Sequence, residues 1–299
     1  MSYLCIDIGG TYMKYGLLQE NGFIEKEWKL KTPETIEEFQ ALNKQEIDRV
    51  ADYVEGIAIS CPGKIDSTKG YVYTCGTIMY LYDFDMASWI KSITLLPFSV
   101  INDGKAAVLA EWQFGNLKGT TNSLGMILGT GVGGGLILNN SLYQGKNFQA
   151  GEFSFCIEDS PSTGLTIYGS SGSAVTFIKK ATAILGVDDD DYQAVFDAIE
   201  MKENAQLTKL FLSYCRGIAK FIVNLQAILD IEKVVIGGGV SQQAILIENI
   251  ELAYNNLFEE LEILDQTFER IDIAPCYYNN SSNLIGALQS LLNQHSLTL

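Results

Sequence analysis

Two short glycine turns constrain this chain more than any other feature. Asp7-Ile8-Gly9-Gly10-Thr11 and Leu128-Gly129-Thr130-Gly131-Val132-Gly133-Gly134-Gly135 each follow an apolar run and lead into another. That is the layout of a β-hairpin whose tight turn offers bare backbone N–H groups to an anion. A single turn of this kind is also what an ordinary hairpin looks like. Two of them, about 120 residues apart, describe a duplication, because Gly16-Leu17-Leu18-Gln19-Glu20-Asn21 is echoed by Gly135-Leu136-Ile137-Leu138-Asn139-Asn140. The pair predicts a nucleotide-binding protein of two related halves, each with a phosphate clamp.

Charge narrows the ligand. Lys and Arg total 20 against 36 Asp and Glu, a net charge of −16 with no basic cluster to offset it. Such a surface repels nucleic acid and anionic membranes, which points to a small-molecule partner. A polyphosphate would then be held by backbone amides and a divalent cation, since lysines are scarce. With 299 residues, 47% apolar and 19% charged, the chain has room for two α/β domains and a large core. The six cysteines (Cys5, Cys61, Cys75, Cys156, Cys215, Cys276) include no C-x-x-C pair and read as buried reduced thiols. The chain enters a strand at Tyr3 with no signal peptide ahead of it. Residues 119–145 carry no charge, but their glycines and the pair Asn139-Asn140 favour a buried hairpin over a membrane span. A cytoplasmic, soluble protein is expected.

Periodicity predicts strands at 3–8, 15–19 and 23–30, a helix over 34–53, and buried strands at 56–60 and 98–101. A helix over 104–114 follows. Strands at 123–128 and 132–138 repeat the theme, then helices at 171–185, 190–199 and 205–229. A strand at 233–236, a helix over 241–260, a strand at 270–274 and a helix over 283–293 complete the pattern. Strands alternating with helices across glycine turns imply an α/β sheet with covered faces. The acidic run Asp188-Asp189-Asp190-Asp191 reads as a helix N-terminus.

Several residues carry chemistry. Gly9 and Gly10 let backbone approach phosphate oxygens, and Thr11 can donate a hydroxyl hydrogen bond. Asp7, at a strand end, is placed to hold Mg²⁺ through water, and Lys14 can add one positive charge. Gly129-Thr130-Gly131-Val132-Gly133 lacks the Lys-Ser/Thr of a Walker A loop and opens into a strand, which excludes P-loop NTPases and the dinucleotide fingerprint. Gly237-Gly238-Gly239 sits between strand and helix, where a phosphate or adenosine could dock, or where a plain turn could stand. Asn102-Asp103 ends a buried strand; it suits a general base and equally a helix N-cap. His295, the one histidine, is expected on the surface, which leaves no His-dependent triad.

Together these motifs resemble the ROK family of sugar kinases and related repressors, within the actin/hexokinase ATPase superfamily. The resemblance rests on Asp7-Ile8-Gly9-Gly10-Thr11 with Lys14, Cys61-Pro62-Gly63-Lys64-Ile65-Asp66, Asn102-Asp103, Leu128 to Gly135, Gly151-Glu152, Ser171-Gly172 and Ile236 to Val240. It implies a two-lobed α/β, ribonuclease H-like fold with a duplicated βββαβαβα core. The expected lobes are 1–117 and 118–283, with a terminal helix over 284–299 packing back on the first. It implies ATP as phosphoryl donor and a hexose or hexose derivative as acceptor, at O6. Asp103 would be the base, Asn102 and Glu152 would bind sugar hydroxyls, and Pro62-Gly63 would shape the pocket. The glycine turns would hold ATP phosphates and Mg²⁺, Gly238-Gly239 would flank adenosine, and lobe closure would exclude water. A homodimer is common among such proteins.

Departures from the pattern matter. The family's Glu-x-Gly-His segment aligns with Glu152-Phe153-Ser154-Phe155, so Phe155 replaces the histidine. Of the cysteine run that binds structural zinc, only Cys156 is present, and no zinc site is expected. The family glutamate beyond that run is missing as well. A less polar pocket in which Phe155 stacks on a sugar or an aglycone makes a β-glucoside or another substituted sugar plausible. Two alternatives stand beside the kinase: a non-catalytic sugar-binding relative, and a sugar-responsive regulator. Only six residues precede Asp7, too few for the helix-turn-helix of the regulators.

Overall fold

The computed structural model describes residues 1–160, 164–278 and 280–296. The chain divides into two compact units: Met1–Gly115 with Leu142–Ala150 and Asn280–Leu299, and Asn116–Ser141 with Gly151–Asn279.

The first unit opens on an antiparallel meander of β1 (Ser2–Ile8), β2 (Tyr12–Gln19) and β3 (Ile24–Lys31). Helix α1 (Ile36–Asp48) leads to β4 (Val54–Cys61). A small antiparallel sheet of β5 (Ile65–Asp66), β6 (Tyr71–Val72) and β7 (Phe84–Asp85) follows. Then come α2 (Met86–Ile93), β8 (Phe98–Asn102) and α3 (Asp103–Phe114). The main sheet runs β3-β2-β1-β4-β8, with β1, β4 and β8 parallel. These parallel strands are almost continuously apolar because both faces are covered. Edge strand β3 instead alternates Glu and Lys with Trp28 and Leu30, which blunts an exposed edge. The chain's last helix, Ser282–Ser296, packs on α3, β1, β4 and β8. Gly286 meets the Ala106 carbonyl with no room for a Cβ, which sets how deeply that helix beds on α3.

The second unit repeats the plan. Hairpin β9 (Ser123–Leu128) and β10 (Val132–Leu138) is followed by β11 (Ser141–Tyr143), then by a separate hairpin of β12 (Ile157–Ser160) and β13 (Gly164–Ile167). Helices α4 (Tyr168–Ser171), α5 (Ala174–Leu185), α6 (Tyr192–Met201) and α7 (Ala205–Leu229) precede β14 (Lys233–Gly237). Helices α8 (Ala244–Glu260) and α9 (Glu262–Thr267) lead to β15 (Asp272–Pro275). The sheet order, β11-β10-β9-β14-β15, reproduces that of the first unit. The sequence echo is a structural equivalence. Gly16 lies three residues beyond Met13, which pairs with the end of β1, and Gly135 three beyond Val132, which pairs with the end of β9.

Some elements differ from expectation for local reasons. The helix expected over 34–53 ends at Asp48, starting where Thr35 accepts from the Glu38 N–H, and a 3-10 turn takes Ala51–Tyr53. Gly172 breaks the run over 171–185, and Ser173 recaps it by accepting from Thr176 N–H. Helix α8 starts only at Ala244, because Ser241 N and Oγ both donate back to the Gly238 carbonyl. Asp191 caps α6 by accepting from Ala194 N–H, as the acidic run suggested. The small sheet, the hairpin β12–β13 and helices α2 and α9 are too short to show a period. All six cysteines are free thiols, with Cys156 half-buried and the others buried. Residues 119–145 form the hairpin region β9 to β11, and among the described residues no helix is long and apolar enough to cross a membrane. His295 lies on the last helix, and its expected surface position falls outside the described side chains.

Candidate active site

In the first unit, parallel pairing aligns the carboxyl ends of three strands. Asp7 on β1 pairs with Ser60 on β4, and Cys61 on β4 pairs with Asn102 on β8. Neighbouring strands lie about 4.8 Å apart, so Asp7 and Asn102 bracket Cys61 from adjacent positions. The Cys61 thiol registers this crowding. It is pushed well above its ordinary value by a hydrogen bond with Cys75, then by burial, then by the charges of Cys75, Asp103 and Asp7.

Asn102 organises the corner where β8 meets α3. Its Oδ1 accepts from Lys105 N–H at 3.0 Å, capping α3. Its Nδ2 donates to the Gly63 carbonyl and to Asp103 Oδ1, both at 3.0 Å. Asp103 Oδ1 also accepts from Gly104 N–H at 2.8 Å, so the carboxylate is oriented from two directions. Both Nδ2 hydrogens of Asn102 are therefore spent inside the protein, and a sugar hydroxyl could reach this side chain only by donating to Oδ1. Gly63 has φ +94° and a side chain there would collide with the Thr74 carbonyl, which seats the Pro62-Gly63 turn on residues 74–76. Asp66, in the same motif, is a turn residue. Its burial works against ionisation, but hydrogen bonds from Thr68 and Lys69 hold its carboxyl below the usual range.

The first glycine turn lies beside this constellation. Gly10 and Thr11 are exposed and, among the described residues, their N–H groups have no backbone partner. Thr32 braces the turn from behind. Its N–H donates to the Thr11 carbonyl at 3.1 Å and its Oγ1 to the Gly9 carbonyl at 2.6 Å. Thr77 Oγ1 lies 3.0 Å from where a Cβ on Gly10 would sit, so the turn and the loop after Cys75 touch. Asp7 is 8% exposed, and burial raises its carboxyl above the usual range although Ser60 and Asn283 both donate to Oδ1, at 2.7 and 3.1 Å. A desolvated carboxylate beside exposed amides fits a hard cation that arrives with its phosphates. Lys14 pairs across from Asp7 and helps to keep it charged, while its Nζ donates to the Asn280 carbonyl at 2.8 Å.

The second unit carries its own cradle. Parallel pairing places Gly237 beside Ile127, so the turn after β9 and the turn after β14 emerge together. Gly238 has φ +103° and abuts the Leu128 carbonyl so closely that no Cβ fits. Around Gly129-Thr130-Gly131, Ser154 Oγ accepts from Val132 N–H at 2.7 Å and donates to its carbonyl at 3.1 Å. Ser173 Oγ and Val175 N–H both donate to the Gly129 carbonyl, at 3.2 Å. Open space surrounds the Cβ positions of Gly129, Gly133 and Gly239. Gly133 lies within β10, paired with Ile127. Glu152 precedes the 3-10 turn Phe153–Phe155, and Phe155 is 68% exposed. Among the described residues, no group of three or more His, Cys, Asp or Glu side chains could hold a metal ion.

The structure thus gathers Asp7, Gly9, Gly10, Thr11, Lys14, Pro62, Gly63, Asn102 and Asp103 at one end of the first unit's sheet. It gathers Gly129 to Gly133, Gly237 to Gly239, Glu152 and Phe155 in the second unit. Sequence reasoning missed Ser60, Asn283, Thr32 and Thr77 in the first and Ser154 and Ser173 in the second. Ser173 could have been found as a helix cap after Gly172. The others carry no local signal.

Comparison with known proteins is consistent with this arrangement. The sequence model described as "ROK family" matches residues 3–294. A β-glucoside kinase of Klebsiella pneumoniae is 30% identical over 259 residues, covering 81% of this chain and 83% of that protein. A glucokinase of Halalkalibacterium halodurans is 31% identical over 272 residues, covering 80% and 81%. The crystal structure of a ROK family protein from Streptococcus pneumoniae TIGR4 in complex with sucrose superposes with a TM-score of 0.90 at 25% identity, covering 99% of this chain and 100% of that one.

Proposed function

From the premise that the chain belongs to the ROK family, we propose how its residues divide the work of phosphorylating a sugar. The protein is a carbohydrate kinase that uses ATP; its curated relatives are named β-glucoside kinase and glucokinase. The observation that carries the assignment of roles is the oriented carboxylate of Asp103, fixed by Asn102 and Gly104 next to the Gly63 turn.

Phosphoryl transfer asks mainly for alignment and charge neutralisation. Asp103 accepts the proton of the sugar hydroxyl, at O6 of a hexose, while that oxygen bonds to the γ-phosphorus and ADP departs. Pro62 and Gly63 bound the sugar, Asn102 holds Asp103 in register, and Glu152 receives a further sugar hydroxyl. The N–H groups of the Gly9 to Thr11 turn and those of Thr130 and Gly131 bind phosphate oxygens, with the second turn closed by Gly129 N–H donating to the Gly131 carbonyl at 2.9 Å and Gly133 leaving space beside it. Lys14 adds positive charge, and Gly239, with open space at its Cβ position, leaves room for adenosine while Gly237 and Gly238 let their turn pack close to its neighbours. Asp7, through water, would hold the Mg²⁺ that comes with ATP, and the ion would supply charge neutralisation at the phosphates. The exposed ring of Phe155 supports a substituted acceptor, and a β-glucoside is the substrate class we favour.

The test is ADP release across glucose, N-acetylmannosamine and a set of β-glucosides. A β-glucoside with the highest kcat/KM supports the reading. Glucose turning over as well as every glucoside removes the role given to Phe155. No ADP release with any sugar removes the catalytic assignment altogether.

A further inference from the structure

We propose that Asn283, the second residue of the last helix, is a positioning residue that acts through Asp7 on the binding of the nucleotide's cation; the inference rests on the reading of Asp7 given above. Two donors converge on one carboxylate oxygen. Ser60 Oγ reaches Asp7 Oδ1 from the neighbouring strand at 2.7 Å, and Asn283 Nδ2 reaches the same atom at 3.1 Å from 276 residues away along the chain. Two donors on one oxygen fix the plane of the carboxylate and make its two oxygens inequivalent. A cation's water shell then meets a preset acceptor instead of a rotor.

The delivery of Asn283 is over-determined. Just ahead of it, the Asn280 carbonyl accepts from Lys14 Nζ on β2 at 2.8 Å, and Ser281 Oγ donates to Glu27 Oε2 on β3 at 3.1 Å. Behind it, Gly286 beds the helix against the Ala106 carbonyl of α3. Two strands and one helix therefore hold the amide in place, and the helix that closes the first unit also finishes its site. Partners that orient a metal's direct ligands change its affinity about 10- to 100-fold when removed, and Asn283, acting on a carboxylate that reaches the ion through water, belongs at the low end of that range.

The experiment measures binding of Mn²⁺ with a non-hydrolysable ATP analogue to the full chain by electron paramagnetic resonance, with melting temperature recorded alongside. Asn283→Leu keeps the side-chain size and removes the donor; it should bind the complex about tenfold more weakly. In an Asp7→Asn background the same change should cost less than twofold, because the route through the carboxylate is gone. Asn283→Leu binding within twofold of the parent, while Asp7→Asn binds weakly, would overturn the proposal alone. An equal loss in both backgrounds would also overturn it, since the effect would be merely structural. Parent-like binding by Asp7→Asn would remove the reading of Asp7 and the proposal with it. Asn283→Ala serves the same cycle if the leucine variant does not fold.

Discussion

Asn102 offers a way to separate how this site is built from how it works. Its amide makes three hydrogen bonds at 3.0 Å: a cap on α3, a tie to the Gly63 carbonyl and a tie to Asp103 Oδ1. Asn102→Ala removes all three at a residue that is 7% exposed. Loss of the cap costs about 1 kcal/mol, and losing the two other hydrogen bonds costs about 1 kcal/mol each. The expected destabilisation is therefore about 3 kcal/mol in urea unfolding. Turnover should fall about 100-fold, because Asp103 loses one of the donors that orient it and the Gly63 turn loses its anchor. Asn102→Asp tests the two donated bonds. Its carboxylate still accepts from Lys105 N–H, so the cap survives, but it cannot donate to Gly63 or Asp103. Its second carboxylate oxygen faces the Gly63 carbonyl and the Asp103 carboxylate at a buried position; the variant should be no more stable than alanine and as inactive in a coupled ADP-release assay. If Asn102→Asp turned over like the parent, or Asn102→Ala unfolded at the parent's urea midpoint, the hydrogen-bond account of this corner would be wrong.

Other outcomes follow from the same geometry. Asp103→Asn should keep the fold and sugar binding but lose turnover by orders of magnitude; more than about a tenth of the parent rate, a change under roughly 1.4 kcal/mol, would show that Asp103 is not the base. Gly238→Ala must place a Cβ against the Leu128 carbonyl at φ +103°; it should lose more than about 1 kcal/mol of stability and raise the KM for ATP, with unfolding and kinetics as the checks. Ser154→Ala frees both Val132 backbone groups from their side-chain partner; it should raise the KM for ATP several-fold, and calorimetry of sugar binding alone should be unchanged. Burial raises the Asp7 carboxyl, so its contribution to stability is present below the ordinary carboxylate range and is lost as pH rises through the raised value. Ligand-free Asp7→Asn should therefore melt above the parent at pH 7, and the advantage should shrink on acidification; a constant difference from pH 4 to 8 would contradict the burial argument.

What the chain discloses before folding divides along a physical line. A hairpin strand must alternate or run apolar, and a turn that bares its amides needs glycine, so both clamps and their duplication are written as local pattern. The end of β8 was legible for the same reason, since a buried strand that stops at Asn102-Asp103 must put polar groups at a sheet edge or a helix start. The groups that make these turns rigid are of another kind. Thr32, Ser60, Ser154 and Asn283 are ordinary hydroxyls and an amide whose partners lie 23, 53, 22 and 276 residues away. No periodicity marks them, because any surface Ser or Asn has the same local signature; their role exists only once strand register has chosen their neighbours. Ser154 shows the consequence most clearly. By composition it is one unremarked residue between Glu152 and Phe155, yet it holds both the N–H and the carbonyl of Val132, at the exit of the second clamp. On the proposed reading the glycines let a phosphate approach, and the scattered hydroxyls keep the approach in one shape. Preorganisation of the site is thus a property of tertiary contacts laid over a local motif, and substitutions at the hydroxyls should alter nucleotide affinity without altering the pattern by which the motif is recognised.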